Sequence, residues 1–182
     1  MASTYVGTPT IATSWWIKHG TIGGIVGGLG MMMAEMIIAA LMGMDAFMPP
    51  RMIAGLALGQ RAMEPATPLM TAAPVGLLIH MMLSIIYGLI FAWLLSVIPA
   101  LRSTAALIVA TSFFGLLLWL VNFYVIAPPA GWVWFPTMAN PVQQFVAHVF
   151  GFGTVLGVYL DRVLVSWRET VPAPSHGVGA TV

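Results

Sequence analysis

Four apolar stretches, each about as long as a membrane-spanning helix, constrain this chain more than any other feature. They run from Thr21 to Met44, from Pro74 to Ile98, from Ser103 to Ile126 and from Pro141 to Asp161. A helix of about 20 mostly apolar residues crosses the roughly 30 Å of hydrocarbon in a bilayer. We therefore expect an all-α fold, an integral membrane four-helix bundle.

The composition supports the same class of protein. Only 6% of the 182 residues are charged and 60% are hydrophobic, whereas soluble domains carry about a quarter charged residues. This balance excludes an ordinary soluble enzyme, a disordered chain and a basic nucleic-acid-binding protein. The lack of cysteine excludes disulfides and thiolate metal sites. We expect the lipid bilayer and other membrane-protein subunits as partners, and no nucleic acid.

The basic residues at the ends of the spans predict the orientation. One side has Lys18, Arg102, Arg162 and Arg168, and the other has Arg51 and Arg61. Cytoplasmic loops carry an excess of Lys and Arg, so we expect a multi-pass protein of the bacterial inner membrane with both termini in the cytoplasm. The transmembrane domain then covers residues 21–163, between an N-terminal tail, 1–20, and a C-terminal tail, 164–182.

The two loops on the other side are similar to each other. They open with Pro49–Pro50 and Pro128–Pro129, and apolar or aromatic residues follow. Residues 51–63 are expected to form a short interfacial helix in the first loop. Each loop precedes a span with one histidine near its loop end. This pattern predicts a two-helix unit used twice, as a parallel repeat.

Each span carries one notable polar side chain: Glu35, His80, Asn122 and His148. At 1.5 Å per residue they lie about 6 Å (Asn122) to about 14 Å (Glu35) from the loop end of their spans. Polar groups within a membrane need partners inside the protein. We therefore expect a structural polar layer in which neutral histidines donate hydrogen bonds to Glu35 or Asn122. On an α-helical wheel, however, His148 lies opposite Gly157.

Two cofactor alternatives use the same side chains. His80 and His148 are candidate axial ligands of haem b or of a chlorophyll-type pigment, with Gly76 and Gly151 leaving room for the macrocycle. Glu35, His80 and His148 are also candidate ligands of a metal ion, because a carboxylate and two imidazoles form a common ligand set.

The leading functional hypothesis is a non-catalytic accessory subunit of a larger bacterial membrane complex, respiratory or photosynthetic. The first alternative is an electron-transfer subunit that binds haem or bacteriochlorophyll. The second is a small proton or cation channel or transporter built around Glu35, although no helix shows a mid-span break. No hydrolase or nucleotide-binding motif is present, so we expect no enzymatic activity. His19 and His176 are expected to lie outside the spans.

Two segments, Gly76–Trp93 and Phe145–Gly157, contain His80 and His148 among small and aromatic residues. They resemble the helices of small uncharacterised bacterial four-span membrane proteins, in which G-x-x-x-H precedes a small residue, a glycine and an aromatic residue. The resemblance covers roughly Gly20 to Leu160. It implies the four-span architecture and no catalytic residue.

Overall fold

The computed structural model describes residues 10–170, which form six helices and contain no strand. The helices are α1 (Thr13–Leu41), α2 (Met48–Leu58), α3 (Leu69–Val97), α4 (Thr104–Ile126), α5 (Trp134–Met138) and α6 (Pro141–Glu169). The four longest, α1, α3, α4 and α6, are long and apolar enough to cross a membrane. The expected all-α membrane bundle is confirmed, and α2 is the short helix expected in the first loop.

Two of the long helices begin at capping residues that the sequence shows. The Asn140 side chain accepts hydrogen bonds from the backbone N–H groups of Val142 and Gln143, at 2.9 and 3.1 Å, and Pro141 begins α6. Ser103 caps α4 in the same way. Such caps satisfy backbone donors that have no partner within the helix. In contrast, α1 and α3 begin before the apolar stretches do, and Pro74 lies inside α3.

Glycines set the arrangement of the long helices. Gly24 lies directly against the backbone of α3 at Ser84 and Ile85, and Gly27 lies against Phe152 of α6. Gly115 and Gly153 bring α4 and α6 together in the same way. Small residues promote such close approach in membranes, where hydrophobicity does not drive helices together. The pairs α1–α3 and α4–α6 pack closely, whereas α3 and α4 make few close backbone approaches.

The first loop packs against one end of the bundle. We call this end, which carries α2 and α5, the loop side. Gly76 of α3 contacts the backbone of α2 at Pro50. The Arg51 guanidinium donates to the carbonyl groups of Ala62 and Thr67, at 3.1 and 3.0 Å. Trp134 of α5 donates from Nε1 to the Met52 carbonyl at 3.1 Å. Helix α2 therefore packs against α3 and α5 together.

Two spans contain π-helical segments, Val121–Ile126 in α4 and Ala147–Thr154 in α6. The first includes a hydrogen bond from the Ala127 N–H to the Asn122 carbonyl, at 2.9 Å. A π-helix turns less per residue than an α-helix and is frequent at functional sites. The spans remain continuous, as expected, but their helical pitch changes locally. The π segments contain Asn122 and His148, two of the four predicted polar residues.

The opposite face, which carries the α3–α4 connection, is the short-turn side. Leucines with no exposed surface fill the bundle there: Leu95, Leu107, Leu156, Leu160 and Leu164. Arg102 lies at this face, where it donates to the Ser96 carbonyl at 2.7 Å. Partial burial, and then the nearby charge of Arg168, lower the pKa of the Arg102 guanidinium. The tightest apolar core therefore lies near the short turn, away from the predicted polar residues.

Candidate functional site

A cavity of about 360 Å³ lies where α3 and α4 separate, and we call it the central cavity. Its wall is mostly apolar, and Leu56, Trp132 and Phe135 contribute to it from the loop side. The polar side chains that line it are His80, Ser84, Tyr87, Asn122 and His148. The volume falls within the range of about 300–1,000 Å³ that is common for small-molecule sites.

His80 reaches the central cavity from α3 and is 5% exposed. Its Nε2 lies 2.8 Å from the carbonyl oxygen of Gly28 on α1. A carbonyl only accepts hydrogen bonds, so Nε2 must carry the hydrogen. In a neutral imidazole the other nitrogen, Nδ1, is then a hydrogen-bond acceptor. The close approach of α1 and α3 at Gly28 makes this bond between two spans possible.

His148 faces the same cavity from the π segment of α6 and is 4% exposed. Its Nδ1 lies 3.0 Å from the backbone carbonyl oxygen of Gln144. Nδ1 therefore carries the hydrogen, and Nε2 is the acceptor of the neutral ring. Phe123 packs edge-on against the imidazole, with ring centroids 5.6 Å apart. The two histidines are thus fixed as opposite tautomers by backbone carbonyls of α1 and α6.

The second nitrogen of each imidazole remains without a protein partner. Neither His80 Nδ1 nor His148 Nε2 has a hydrogen bond among the described residues, and neither is completely enclosed by protein. Both rings line the central cavity. The mostly apolar wall of the cavity therefore includes two imidazoles, each with one nitrogen available as a hydrogen-bond acceptor.

Asn122 and Tyr87 bridge the gap between α3 and α4. The Tyr87 hydroxyl donates to Asn122 Oδ1 at 3.1 Å. The Asn122 amide NH₂ is therefore the donor end of that side chain on the cavity wall. Deeper in the same gap, the rings of Phe91 and Phe114 lie 5.4 Å apart. This contact closes the space between the two spans toward the short turn.

Glu35 lies in a neighbouring cavity of about 260 Å³, which we call the loop-side cavity. The carboxyl-bearing side chain is 3% exposed. The Gln143 amide donates to the Glu35 backbone carbonyl at 2.8 Å, and the Gln144 side chain interacts with the Glu35 carboxyl. The two cavities share four lining residues, Met31, Ile53, Phe123 and Phe135.

The predicted polar residues are therefore brought near one another without bonding to one another. The expected hydrogen bonds from the histidines to Glu35 or Asn122 do not form, because nearby backbone carbonyls accept from both imidazoles. The predicted metal site of Glu35, His80 and His148 is not assembled either. No group of three His, Asp or Glu residues within residues 10–170 is placed to hold a metal ion.

The arrangement also does not fit a haem held between His80 and His148. His80 Nε2 is already hydrogen-bonded to the Gly28 carbonyl. The other ring nitrogen, Nδ1, is next to the ring carbon that carries Cβ, so a macrocycle bound there would collide with the helix. The two glycines expected to leave room are covered by backbone: Gly76 by Pro50, and Gly151 by Met31. Their small size serves helix packing.

Two further features differ from the sequence-based expectations. His19 lies inside α1, and its Nδ1 is 3.0 Å from the Tyr159 hydroxyl. Gly157 packs against Thr111 of α4 although an α-helical wheel places it opposite His148. The π segment between them reduces the rotation per residue and explains the difference. His176 lies outside the described residues.

Comparison with models of known protein families, with curated proteins and with solved structures gives no match for this chain. The geometry of the cavities and the chemistry of their side chains are therefore the basis of the functional argument.

Proposed function

We propose that this chain is a non-catalytic membrane subunit that binds a small apolar molecule with hydroxyl groups in the central cavity. One observation carries the proposal: two imidazoles of opposite tautomer line the same mostly apolar cavity, and each has one ring nitrogen without a hydrogen bond among the described residues. A buried acceptor without a partner is costly. A ligand that donates two hydrogen bonds removes that cost at both nitrogens.

The chemistry of the wall selects among ligand classes. Two acceptors favour a diol or hydroquinone over a quinone, because the oxygens of a quinone only accept. The apolar lining favours an aromatic or aliphatic body, and Asn122 supplies a donor to a hydroxyl oxygen. The volume of about 360 Å³ fits a single substituted ring. We therefore take a hydroquinone as the type of ligand.

This role agrees with the hypothesis of an accessory subunit in a larger bacterial complex of the inner membrane. Hydroquinones are lipid-soluble hydroxyl donors of respiratory and photosynthetic membranes, so a subunit that holds one fits a bioenergetic assembly. The transporter alternative finds no support in the packing, because leucines without exposed surface, such as Leu156 and Leu160, fill the short-turn half.

The proposal is tested by measuring the binding of trimethylhydroquinone to the purified protein in nanodiscs, under anaerobic conditions. Its dimethyl ether has the same ring but no donors, and trimethylbenzoquinone has only acceptors. Two hydrogen bonds contribute about 1–3 kcal/mol, and 1.4 kcal/mol is a factor of ten in affinity. The hydroquinone should therefore bind about tenfold more tightly than either analogue.

Histidine variants complete the test. His80→Leu and His148→Leu should each weaken the binding of the hydroquinone, whereas His19→Gln should not, because His19 contacts Tyr159 and does not line the cavity. Equal affinity for the three ring compounds would refute the proposal. So would equal affinity in His148→Leu and in the unmodified protein.

The pigment alternative depends on His148 Nε2 alone, since His80 does not fit as a second axial ligand. It predicts visible absorption by the protein purified from its membrane, with a band that His148→Ala removes. Colourless protein that binds hydroquinone would favour the proposal above.

A further inference from the structure

Methionine side chains surround the loop-side cavity. Five of the fourteen methionines in the chain line it. They come from α1, α2, α5 and the connection before α2, and they are Met31, Met44, Met48, Met52 and Met138. Thioether sulfur is soft and polarisable, and it is a ligand for soft metal ions such as Cu(I).

The spacing in the chain explains this convergence. Met44, Met48 and Met52 are four residues apart, and Met48 and Met52 lie on successive turns of α2. Residues four apart share one face of a helix. On α1, Met31 and Glu35 have the same spacing and both line the cavity. Two helix faces therefore place methionines, and Glu35, along one cavity.

The cavity also lacks a positive charge to balance its acceptors. The Glu35 carboxyl is buried, and Asp45 adds a second carboxyl at the exposed end. The buried Gln144 Oε1 has no hydrogen-bond donor within residues 10–170. No Lys, Arg or His is among the described residues that line the cavity. Burial favours the neutral form of such a carboxyl, and a bound cation would stabilise the carboxylate form, whereas another apolar group would not.

We propose that the loop-side cavity is a binding site for a soft monovalent cation, Cu(I), held by thioether sulfurs and balanced by the Glu35 carboxylate. The ligand type selects the ion. Hard cations such as Ca²⁺ require six or more oxygen ligands, but sulfur outnumbers side-chain carboxylates here. Five methionines line one cavity of about 260 Å³, although Met48 and Met52 also pack against the cluster that contains Phe123, Trp134 and Phe135.

This site adjoins the one proposed for hydroquinone binding, but different residues carry the two proposals. Met48, Met52 and Glu35 line only the loop-side cavity, and His80 and His148 line only the central cavity. Either proposal can therefore fail alone.

The test uses Ag⁺, a soft monovalent ion that does not change its redox state, titrated into the full chain in detergent with chloride-free buffer. Carbon-13 labelling of the methionine methyl groups gives one NMR signal for each methionine. We expect saturable binding with one ion per chain. The signals of the lining methionines should shift, and those of the exposed Met33 and Met82 should not.

Paired substitutions provide the control. Met48→Leu with Met52→Leu keeps the apolar volume nearly unchanged and removes two thioethers. Loss of a residue that only supports a metal ligand typically weakens metal binding by about tenfold or more, and loss of a ligand should cost at least as much. The affinity for Ag⁺ should therefore fall by about tenfold or more. Met33→Leu with Met82→Leu removes two exposed thioethers and should leave the affinity unchanged. Glu35→Gln should weaken Ag⁺ binding while the fold is retained.

Two results would overturn the proposal: no saturable Ag⁺ binding by folded protein, or the same affinity in both methionine double variants. Hydroquinone binding by the Met48→Leu, Met52→Leu protein monitors folding and the central cavity at the same time. Its retention with loss of Ag⁺ binding would support two independent sites.

Discussion

Replacing Gly24 by alanine tests the backbone contact that positions α3, and with it His80, against α1. A Cβ added at Gly24 would lie 2.8 Å from the Cα of Ile85, and a backbone atom cannot rotate away. At the neighbouring Gly23, a Cβ would meet side-chain atoms, Leu156 Cδ1 at 2.8 Å and the Tyr159 ring at 3.0 Å. Side-chain atoms such as these yield more readily than a backbone atom, although Leu156 is fully buried. The two substitutions therefore differ only in what the added methyl group meets.

The size of the difference follows from this comparison. Exchange of Gly for Ala in a helix interior improves helix propensity by about 1 kcal/mol, equally at both positions. Overpacking against rigid neighbours costs about 1–3 kcal/mol. The gain in helix propensity is the same in both variants and does not contribute to their difference. Gly24→Ala should therefore be less stable than Gly23→Ala by about 1–3 kcal/mol. Reversible unfolding in mixed detergent micelles, followed by circular dichroism, measures this free energy. Equal stability of the two variants would refute close backbone packing of α1 and α3.

Three further predictions concern the elements around the cavities. Trp134→Phe removes the hydrogen bond to the Met52 carbonyl and should lower the free energy of unfolding by about 1 kcal/mol. The free energy of unfolding of Trp134→Tyr provides a second measurement. A double-mutant cycle of Tyr87→Phe and Asn122→Leu should give a coupling energy of about 0.6 kcal/mol, the average for such bonds in membranes; zero coupling would contradict the bridge between α3 and α4. Asn140→Ala removes the cap of α6 and should cost about 1 kcal/mol, whereas Asn140→Asp should cost little.

The helices were predictable because the information for them is local. An apolar stretch of membrane length needs no knowledge of the rest of the chain, and neither does a cap such as Asn140 followed by Pro141. The identity of the important polar residues was also predictable, since Glu35, His80 and His148 are the ionisable groups well inside the apolar stretches. Composition and periodicity determine these features.

The partners of those residues depend on tertiary contacts that periodicity does not contain. His80 bonds to Gly28 only because α1 and α3 approach closely at glycine, and Gly76 is small because Pro50 of α2 lies on it. The π segment around His148 changes the helical phase, which a wheel of constant pitch does not allow. The thioether cluster was missed for a similar reason. Met31 and Met52 come from different helices, and only the fold of the first loop brings them to one cavity.

The account depends most on the two imidazoles and their unpaired nitrogens in the central cavity. Nitrogen-15 NMR of histidine-labelled protein, assigned with His80→Gln and His148→Gln, reports which ring nitrogen carries the hydrogen. We predict that His80 carries it on Nε2 and His148 on Nδ1, and that trimethylhydroquinone shifts the signals of His80 Nδ1 and His148 Nε2. Identical tautomers at the two positions, or signals that the hydroquinone leaves unchanged, would contradict the central claim.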